Sequence, residues 1–414
     1  MLPFFMANFP DQAKCLLRYR YDRLSAAAAK AKAYGFDGAM FPWESAATGE
    51  EETPPYAAID IETGKPTPIP NGAKEIHITA DIAFMTMRYF QMTGDLDFMQ
   101  RYGCEMILAC ALFWVSRCEK TERGYEIKGV IGPDEYTEDI DNNSYTNHMV
   151  RAVLGYALDC AAMLEHLPDR AAVEKRWAYE GKLPLFKEIG EKLYFPPSKD
   201  GIIPQDDSFL SKPSIDISAY QAAAGKQSIL KDYTREAVIQ MQVMKQADLA
   251  MLFFLNPEGW SVQERIQNLL YYENRTIHDS SLSKCVYGIG AMDLGLSDMA
   301  DDFFRQSLEI DFGPNPSCRD GIHAAAAFGI WNLLVRGALG MHIGPKGLLR
   351  FHSALPGCIK SLGTNLYFQG RVLRAYAGPD GMEFALLSGD GMEIEWSAQS
   401  GEYQSVYLER EQIQ

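Results

Sequence analysis

Apolar residues recur every three to four positions through most of the chain, the spacing that lays an apolar stripe along one face of an α-helix. This pattern predicts helices over 11–34, 76–92, 98–118, 145–167, 171–193, 234–255, 261–273, 282–294, 297–308 and 323–339. The Ala-rich end of the first stops at Gly35, a residue suited to a left-handed helix cap. Many of these helices are apolar on more than one face and so need cover on more than one side. About ten of them in succession predict two concentric layers of helix rather than a simple bundle.

Three segments between them, 38–71, 120–143 and 195–232, are longer than connection requires and are expected to shape a functional site. After about residue 340 the period shortens. Runs such as Leu366-Tyr367-Phe368 and Val372-Leu373-Arg374-Ala375-Tyr376, broken by Pro-Asp-Gly and Gly-Asp-Gly turns, predict a small β domain. Asn365-Leu366-Tyr367-Phe368-Gln369-Gly370 resembles a protease tag site, but its place inside this β pattern reads as native strand.

Composition narrows the class. A chain of 414 residues with 47% hydrophobic and 12% aromatic content is long and apolar enough to bury a large core. A net charge of −16 opposes a nucleic-acid or anionic-membrane partner. The eight cysteines show neither CxxC nor metal-ligand spacing, so reduced thiols in a cytoplasmic protein are expected, with no metal site. The opening Met1-Leu2-Pro3-Phe4-Phe5 lacks the basic start of a secretory leader. The apolar stretch 104–115 is too short for a membrane span, and 321–341 carries His323, Asn332 and Arg336.

Candidate chemistry starts at Gly132-Pro133-Asp134-Glu135-Tyr136, followed by Asp141-Asn142-Asn143-Ser144-Tyr145-Thr146-Asn147. A Gly/Pro turn fixes the backbone, so Asp134 and Glu135 are aimed, and the amides and hydroxyls behind them suit sugar hydroxyls. Taken alone, the segment reads more simply as a solvated acidic turn with an Asx cap, and the rest of the chain reverses that reading. Phe41-Pro42-Trp43-Glu44-Ser45 sets an aromatic ring beside a carboxylate, either to stack on a pyranose or to anchor its loop. Glu75-Ile76-His77-Ile78-Thr79-Ala80-Asp81 opens a helix whose polar side faces a cavity or is structural. Lys245-Gln246-Ala247-Asp248 lies among apolar residues, where a Lys and an Asp need a polar pocket or each other. Asp279-Ser280-Ser281-Leu282-Ser283 and Asp320-Gly321-Ile322-His323 each open an apolar helix. Together they would hold an anion such as phosphate; singly each reads as a helix cap.

In this order, and with the Gly49-Glu50-Glu51-Glu52-Thr53-Pro54 tail, these segments resemble glycoside hydrolase family 65, the inverting α-glucoside phosphorylases acting on maltose, kojibiose, nigerose and trehalose. The resemblance implies an (α/α)6 barrel over 1–343 and a small C-terminal β-sandwich over 344–414. It implies Glu135 as general acid, Trp43, Glu44, His77, Lys245 and Gln246 around the glucose, and Ser280, Ser281, His323 and Gly329 at phosphate. Inorganic phosphate is then the co-substrate, without metal or organic cofactor, and a homodimer is expected because the family is commonly dimeric. The alternatives are an inverting, trehalase-like hydrolase and a truncated sugar-binding chain without catalysis. Truncation enters because the family carries an N-terminal β-sandwich, a helical linker and a Trp-Asp-Thr-Glu segment ahead of the Leu-Pro-Phe-Phe found here at residues 2–5, so the glucose site is expected to lack part of its floor. Phe328 stands where the family usually has glycine, and a ring there is expected to crowd the anion.

Overall fold

The computed structural model describes residues 1–59, 64–223, 228–313, 321–344, 347–398 and 402–410. Its main helices are α1 (Leu2–Asn8), α2 (Pro10–Tyr21), α3 (Leu24–Ala33), α4 (His77–Thr93), α5 (Cys104–Arg117) and α6 (Ser144–Leu164). They continue with α7 (Leu183–Lys192), α8 (Leu249–Leu255), α9 (Val262–Glu273), α10 (Ser283–Asp293), α11 (Ser297–Phe312) and α12 (Ala324–Asn332).

Packing sorts these into two layers. Helix α1 touches α4, α4 touches α6, α6 touches α8, α8 touches α10, α10 touches α12, and α12 returns to α1, which closes a ring of six. Outside it, α2 lies on α4, α5 on α4 and α6, α7 on α6, α9 on α8 and α10, and α11 on α10 and α12. This is an (α/α)6 barrel, and the sequence explains which helix goes where. Outer α11 buries Ala300, Phe303, Phe304 and Ser307, a single stripe at helical spacing. Inner α4 buries residues all round, including Thr79, Ala80, Ile82, Ala83, Phe84 and Thr86. Local signals set several ends: Ser261 and Glu264 form a reciprocal capping box ahead of α9, and α4 ends at Gly94 with φ 68°.

The structure departs from the predicted helices in four places, the first being the break at Asp22 and Arg23 that divides 11–34 into α2 and α3. Helix α1 was not predicted at all. The segment 171–193 is interrupted at Ala178, whose φ of 49° is left-handed. The segment 234–255 is helical only over Arg235–Ile239 and in α8, with a loop between them that carries Lys245 to Asp248.

Seven strands follow: β1 (His342–Ile343), β2 (Leu349–His352), β3 (Leu362–Phe368), β4 (Arg371–Gly378), β5 (Gly381–Ser388), β6 (Met392–Ser397) and β7 (Gln404–Leu408). They form sheets of order β7-β6-β2-β1 and β3-β4-β5, with β6 parallel to β2 and the other pairs antiparallel. Phe351 and Phe384 meet between the sheets at 5.0 Å, and Leu373, Leu386 and Ile394 are buried with them. The tag-like hexapeptide is the end of β3 and its turn, with Leu366 and Phe368 buried and Gln369 and Gly370 both left-handed. That turn docks on the barrel, because the Gln369 backbone N–H donates to the Met92 carbonyl at 2.9 Å and its side chain donates to that of Gln91 at 3.0 Å. No helix among the described residues is long and apolar enough to cross a membrane.

Candidate active site

The turn at Gly132 to Tyr136 sends its two carboxylates in opposite directions. Asp134 is fully buried and accepts hydrogen bonds at Oδ1 from the backbone N–H of Lys245 (2.7 Å) and of Tyr136 (3.3 Å), and at Oδ2 from Gln205 (3.3 Å). Glu135 faces outward, with a quarter of its side chain exposed (25%), and takes the Lys245 ammonium at 2.9 Å. Gly132 allows this close fit, since a Cβ there would lie 2.5 Å from both Asn143 Nδ2 and Asp248 Oδ2.

The loop bearing Lys245 runs beside the residues that lead into α10. Met244 bridges Thr276 in parallel, the Ile277 N–H donates to the Met244 carbonyl at 2.9 Å, and the Asp279 N–H donates to the Lys245 carbonyl at 3.0 Å. Tyr136 then donates its hydroxyl to Asp279 at 2.8 Å, and Gln246 donates to the Pro133 carbonyl. Three segments far apart in sequence, the acid turn, the Lys245 loop and the serine loop, are thereby tied into one unit. Lys245 pairs with Glu135 rather than with Asp248, so the alternative of a Lys245 to Asp248 ion pair does not hold.

Beneath this unit lies a set of buried ionisable groups. Burial pushes the Asp134 carboxyl up to about 6. Burial, with Asp134 close by, pushes Asp248 up to about 8. Burial also raises Glu75, and the charge of Glu135 adds to the effect. His77 moves the other way in charge: burial opposes its protonation, but Asp81 at 2.8 Å and Glu75 overcome this and push it up to about 10. His77 is thus a cation held between Glu75 and Asp81 at the start of α4.

Trp43 lies edge-on to the His77 ring at 5.5 Å, and His77 lies edge-on to Tyr145 at 5.7 Å. Tyr145 in turn donates to Asp81 at 2.8 Å. Trp43 is half-buried and Glu44 exposed, so the loop presents both without sinking either into the core. The polar run behind Glu135 behaves otherwise than expected. Asn142, Asn143, Thr146 and Asn147 are all buried, and Asn142 bonds Glu126 (2.9 Å) and Asp207 (2.8 Å). Asn143 caps α6 by accepting from Thr146 N–H at 2.8 Å. These amides fasten loops rather than offer themselves to a sugar.

Ser280 and Ser281 form the turn before α10, and His323 immediately precedes α12, the adjacent inner helix. Asp320 lies outside the described residues. His323 Nδ1 meets Asp311 Oδ1 at 2.7 Å, which leaves Nε2 directed away from that partner. A cavity of about 350 Å³ inside the ring is lined by Asp81 and Tyr145 on one side and by Leu282, Cys285 and Gly329 on the other. Gly329 is also a packing glycine, because a Cβ would come within 2.7 Å of the Cys285 sulfur. The Phe328 ring packs on Phe4 at 5.1 Å and on Phe5 at 5.3 Å, so it is turned to α1. Asp311 holds His323 without any signal in the sequence that singles it out, since it sits in a plain amphipathic helix.

Comparison with known proteins bears on the family and the fold. The family model of the glycosyl hydrolase family 65 central catalytic domain matches residues 1–332. Kojibiose phosphorylase of Escherichia coli (strain K12) is 44% identical over 89% of this chain and 48% of its own length. Kojibiose phosphorylase of Halothermothrix orenii is 40% identical over 94% and 50%, and alpha,alpha-trehalose phosphorylase of Thermoanaerobacter brockii is 34% identical over 95% and 50%. The chain therefore spans about half the length of the curated relatives it matches. A solved structure assigned to kojibiose phosphorylase, from the human microbiome, superposes with a TM-score of 0.83 over 99% of this chain and 55% of its own at 23% identity, which bears on the fold. With its ring of helices, its acid turn and a matching family model over most of its length, the chain belongs to glycoside hydrolase family 65.

Proposed function

We propose that the chain carries the catalytic barrel of an inverting α-glucoside phosphorylase that releases β-glucose 1-phosphate. One observation carries this reading: Glu135, Lys245 and the residues leading into the Ser280-Ser281 loop are held in a single hydrogen-bonded unit, and Leu282, next to that loop, lines the central cavity. Glu135 is the exposed carboxyl group of the turn and protonates the glycosidic oxygen. Trp43, Glu44, His77, Lys245 and Gln246 surround the glucose. Ser280, Ser281, His323 and Gly329 receive phosphate, which attacks the anomeric carbon from the face opposite the leaving group.

Because phosphate is itself the nucleophile, no second carboxylate is needed to activate water. The Asp311 carboxylate fits this role for His323: a bond at Nδ1 fixes the ring and its other nitrogen. Kojibiose is the first substrate to test, since it names the relatives at 44% and 40% identity. The same proposal includes phosphate as co-substrate without metal or organic cofactor, a cytoplasmic homodimer, and division into a barrel over 1–343 and a β domain over 344–414. His342–Ile343, just ahead of that boundary, pairs with β2.

The test is release of glucose 1-phosphate from α-linked glucose disaccharides, with and without phosphate. Glu135→Gln is expected to lower the rate about 10²-fold to 10⁴-fold with an unchanged melting temperature. A rate near wild type would remove Glu135 from the mechanism, and phosphate-independent release of free glucose would instead establish the hydrolase.

A further inference from the structure

Glu51 stands in the acidic stretch just after Trp43 and Glu44. Its Oε2 accepts from the Trp43 backbone N–H at 2.9 Å and from the Lys30 ammonium, and its Oε1 accepts from the N–H groups of Glu44 (3.1 Å) and Thr53 (3.2 Å). Lys30, on α3, also donates to the Gly72 carbonyl at 2.8 Å. Gly72 lets the two segments meet, since a Cβ there would lie 3.1 Å from the Glu51 Cδ. The ion pair is largely shielded, with 11% of the Lys30 and 21% of the Glu51 side chain exposed. Burial opposes the charge on Glu51, but Lys30 and Thr53 outweigh it and hold the carboxyl below the usual carboxylate range.

Between Glu44 and Thr53 the backbone pairs only at the Ser45–Glu51 bridge, with the Glu52 N–H on the Glu44 carbonyl at 3.1 Å, so side chains supply much of what else fixes this loop. Here one carboxylate receives three backbone N–H groups, two of them from Trp43 and Glu44 themselves. Through Lys30 it also ties that loop to α3 and to Gly72, in the one-turn helix Asn71–Lys74 that precedes Glu75 and His77.

We propose that Glu51 is a positioning residue that locks the Trp43-Glu44 loop against the mouth of the barrel in the orientation that receives the sugar. Its effect on turnover rests on the sugar-facing role given above to Trp43 and Glu44. Glutamine in its place has one acceptor oxygen and turns an amide NH2 toward backbone donors, so the lock loosens while the volume stays the same.

The test compares wild type, Glu51→Gln and Lys30→Met by hydrogen exchange of the peptide spanning 41–54, and by kinetics with kojibiose and phosphate varied separately. In Glu51→Gln the amides of Trp43, Glu44 and Thr53 are expected to exchange about tenfold faster, with α4 and α6 unchanged. KM for the disaccharide is expected to rise about tenfold, with kcat within about twofold and KM for phosphate unmoved. Lys30→Met shifts the same readouts in the same direction by less and covers the case in which Glu51→Gln fails to fold. Unchanged exchange in the 41–54 peptide overturns the proposal, as does faster exchange with an unchanged KM for the disaccharide in an active enzyme. If wild type turns over no disaccharide while exchange responds as expected, the lock stands and the phosphorylase reading falls.

Discussion

Replacing Asp248 by asparagine should stabilise the protein at alkaline pH. Asn143 donates to Asp248 Oδ2 at 3.1 Å, the Asp134 N–H donates to the same carboxyl group, and Oδ1 has no hydrogen-bond partner. Asparagine can keep the accepting oxygen and place its NH2 at the unpartnered position, so no bond is lost. The charged groups and tyrosines around the site are Asp134, His77, Tyr145, Tyr272 and Tyr287. Burial, with Asp134 adding to it, raises the carboxyl from 3.8 to about 8. The native state thus holds a proton that the unfolded chain releases. Stability from this group is fully present below the unfolded value and is lost as pH rises through about 8. At 1.36 kcal/mol per unit the whole shift would correspond to roughly 6 kcal/mol. Relaxation and water entry around a buried charge reduce this to on the order of 2–3 kcal/mol.

The assay is urea unfolding of both proteins near pH 5, about pH 7 and about pH 9. Asp134, pushed up to about 6, and His77, pushed up to about 10, shape both curves and largely cancel in the difference. The advantage of Asp248→Asn should be smallest at the acid end, already begun at pH 5 because the unfolded value is 3.8, grow until about pH 8, and then level off. A variant less stable than wild type by one constant amount at every pH would refute the reasoning, because it would mean that the buried carboxylate is ionised and fully satisfied.

Two further outcomes follow from packing. Gly329→Ala places a methyl 2.7 Å from the Cys285 sulfur between α10 and α12, so it should cost about 1–3 kcal/mol in thermal unfolding, with Cys285→Ala restoring most of the loss in the double variant. Equal losses in the single and double variants would exclude the contact. The hexapeptide ending in Gln369-Gly370 should resist the tag-cleaving protease in the folded chain and become cleavable in urea, as read on a denaturing gel, because Leu366 and Phe368 are buried and Gln369 is bonded to the end of α4.

The sequence was most legible where one physical effect dominated. A single stripe such as Ala300, Phe303, Phe304 and Ser307 has one reading, and so do the turns that break the β pattern. Helix α1 gave no signal because seven residues that are almost all apolar have no polar face to set a period. Val243, Met244, Leu249 and Met251 fall at a spacing that predicts helix through Lys245. In the structure Val243 and Met244 are buried beside the segment that includes Thr276 and Ile277 instead. Glu135 could be singled out because a Gly/Pro turn aims its side chains, whereas Asn142 and Asn143 looked alike outside and inside, and only tertiary partners separate the two cases. The division of labour between Asp134 and Glu135 was equally invisible, since it depends on the Lys245 N–H arriving from a distant segment.

The contact of Phe4 and Phe5 with Phe328 has a consequence for synthesis of the chain. It joins the first and last helices of the ring, so the inner circle cannot close until nearly the whole barrel has been translated. At ordinary ribosomal rates that interval is on the order of tens of seconds. A seven-residue helix is too short to persist alone in water, so α1 relies first on α2 and α4 and lacks the rest of its cover until α12 emerges. The same rings that lock the finished ring are, during synthesis, the stretch a chaperone would hold and the place where aggregation would begin.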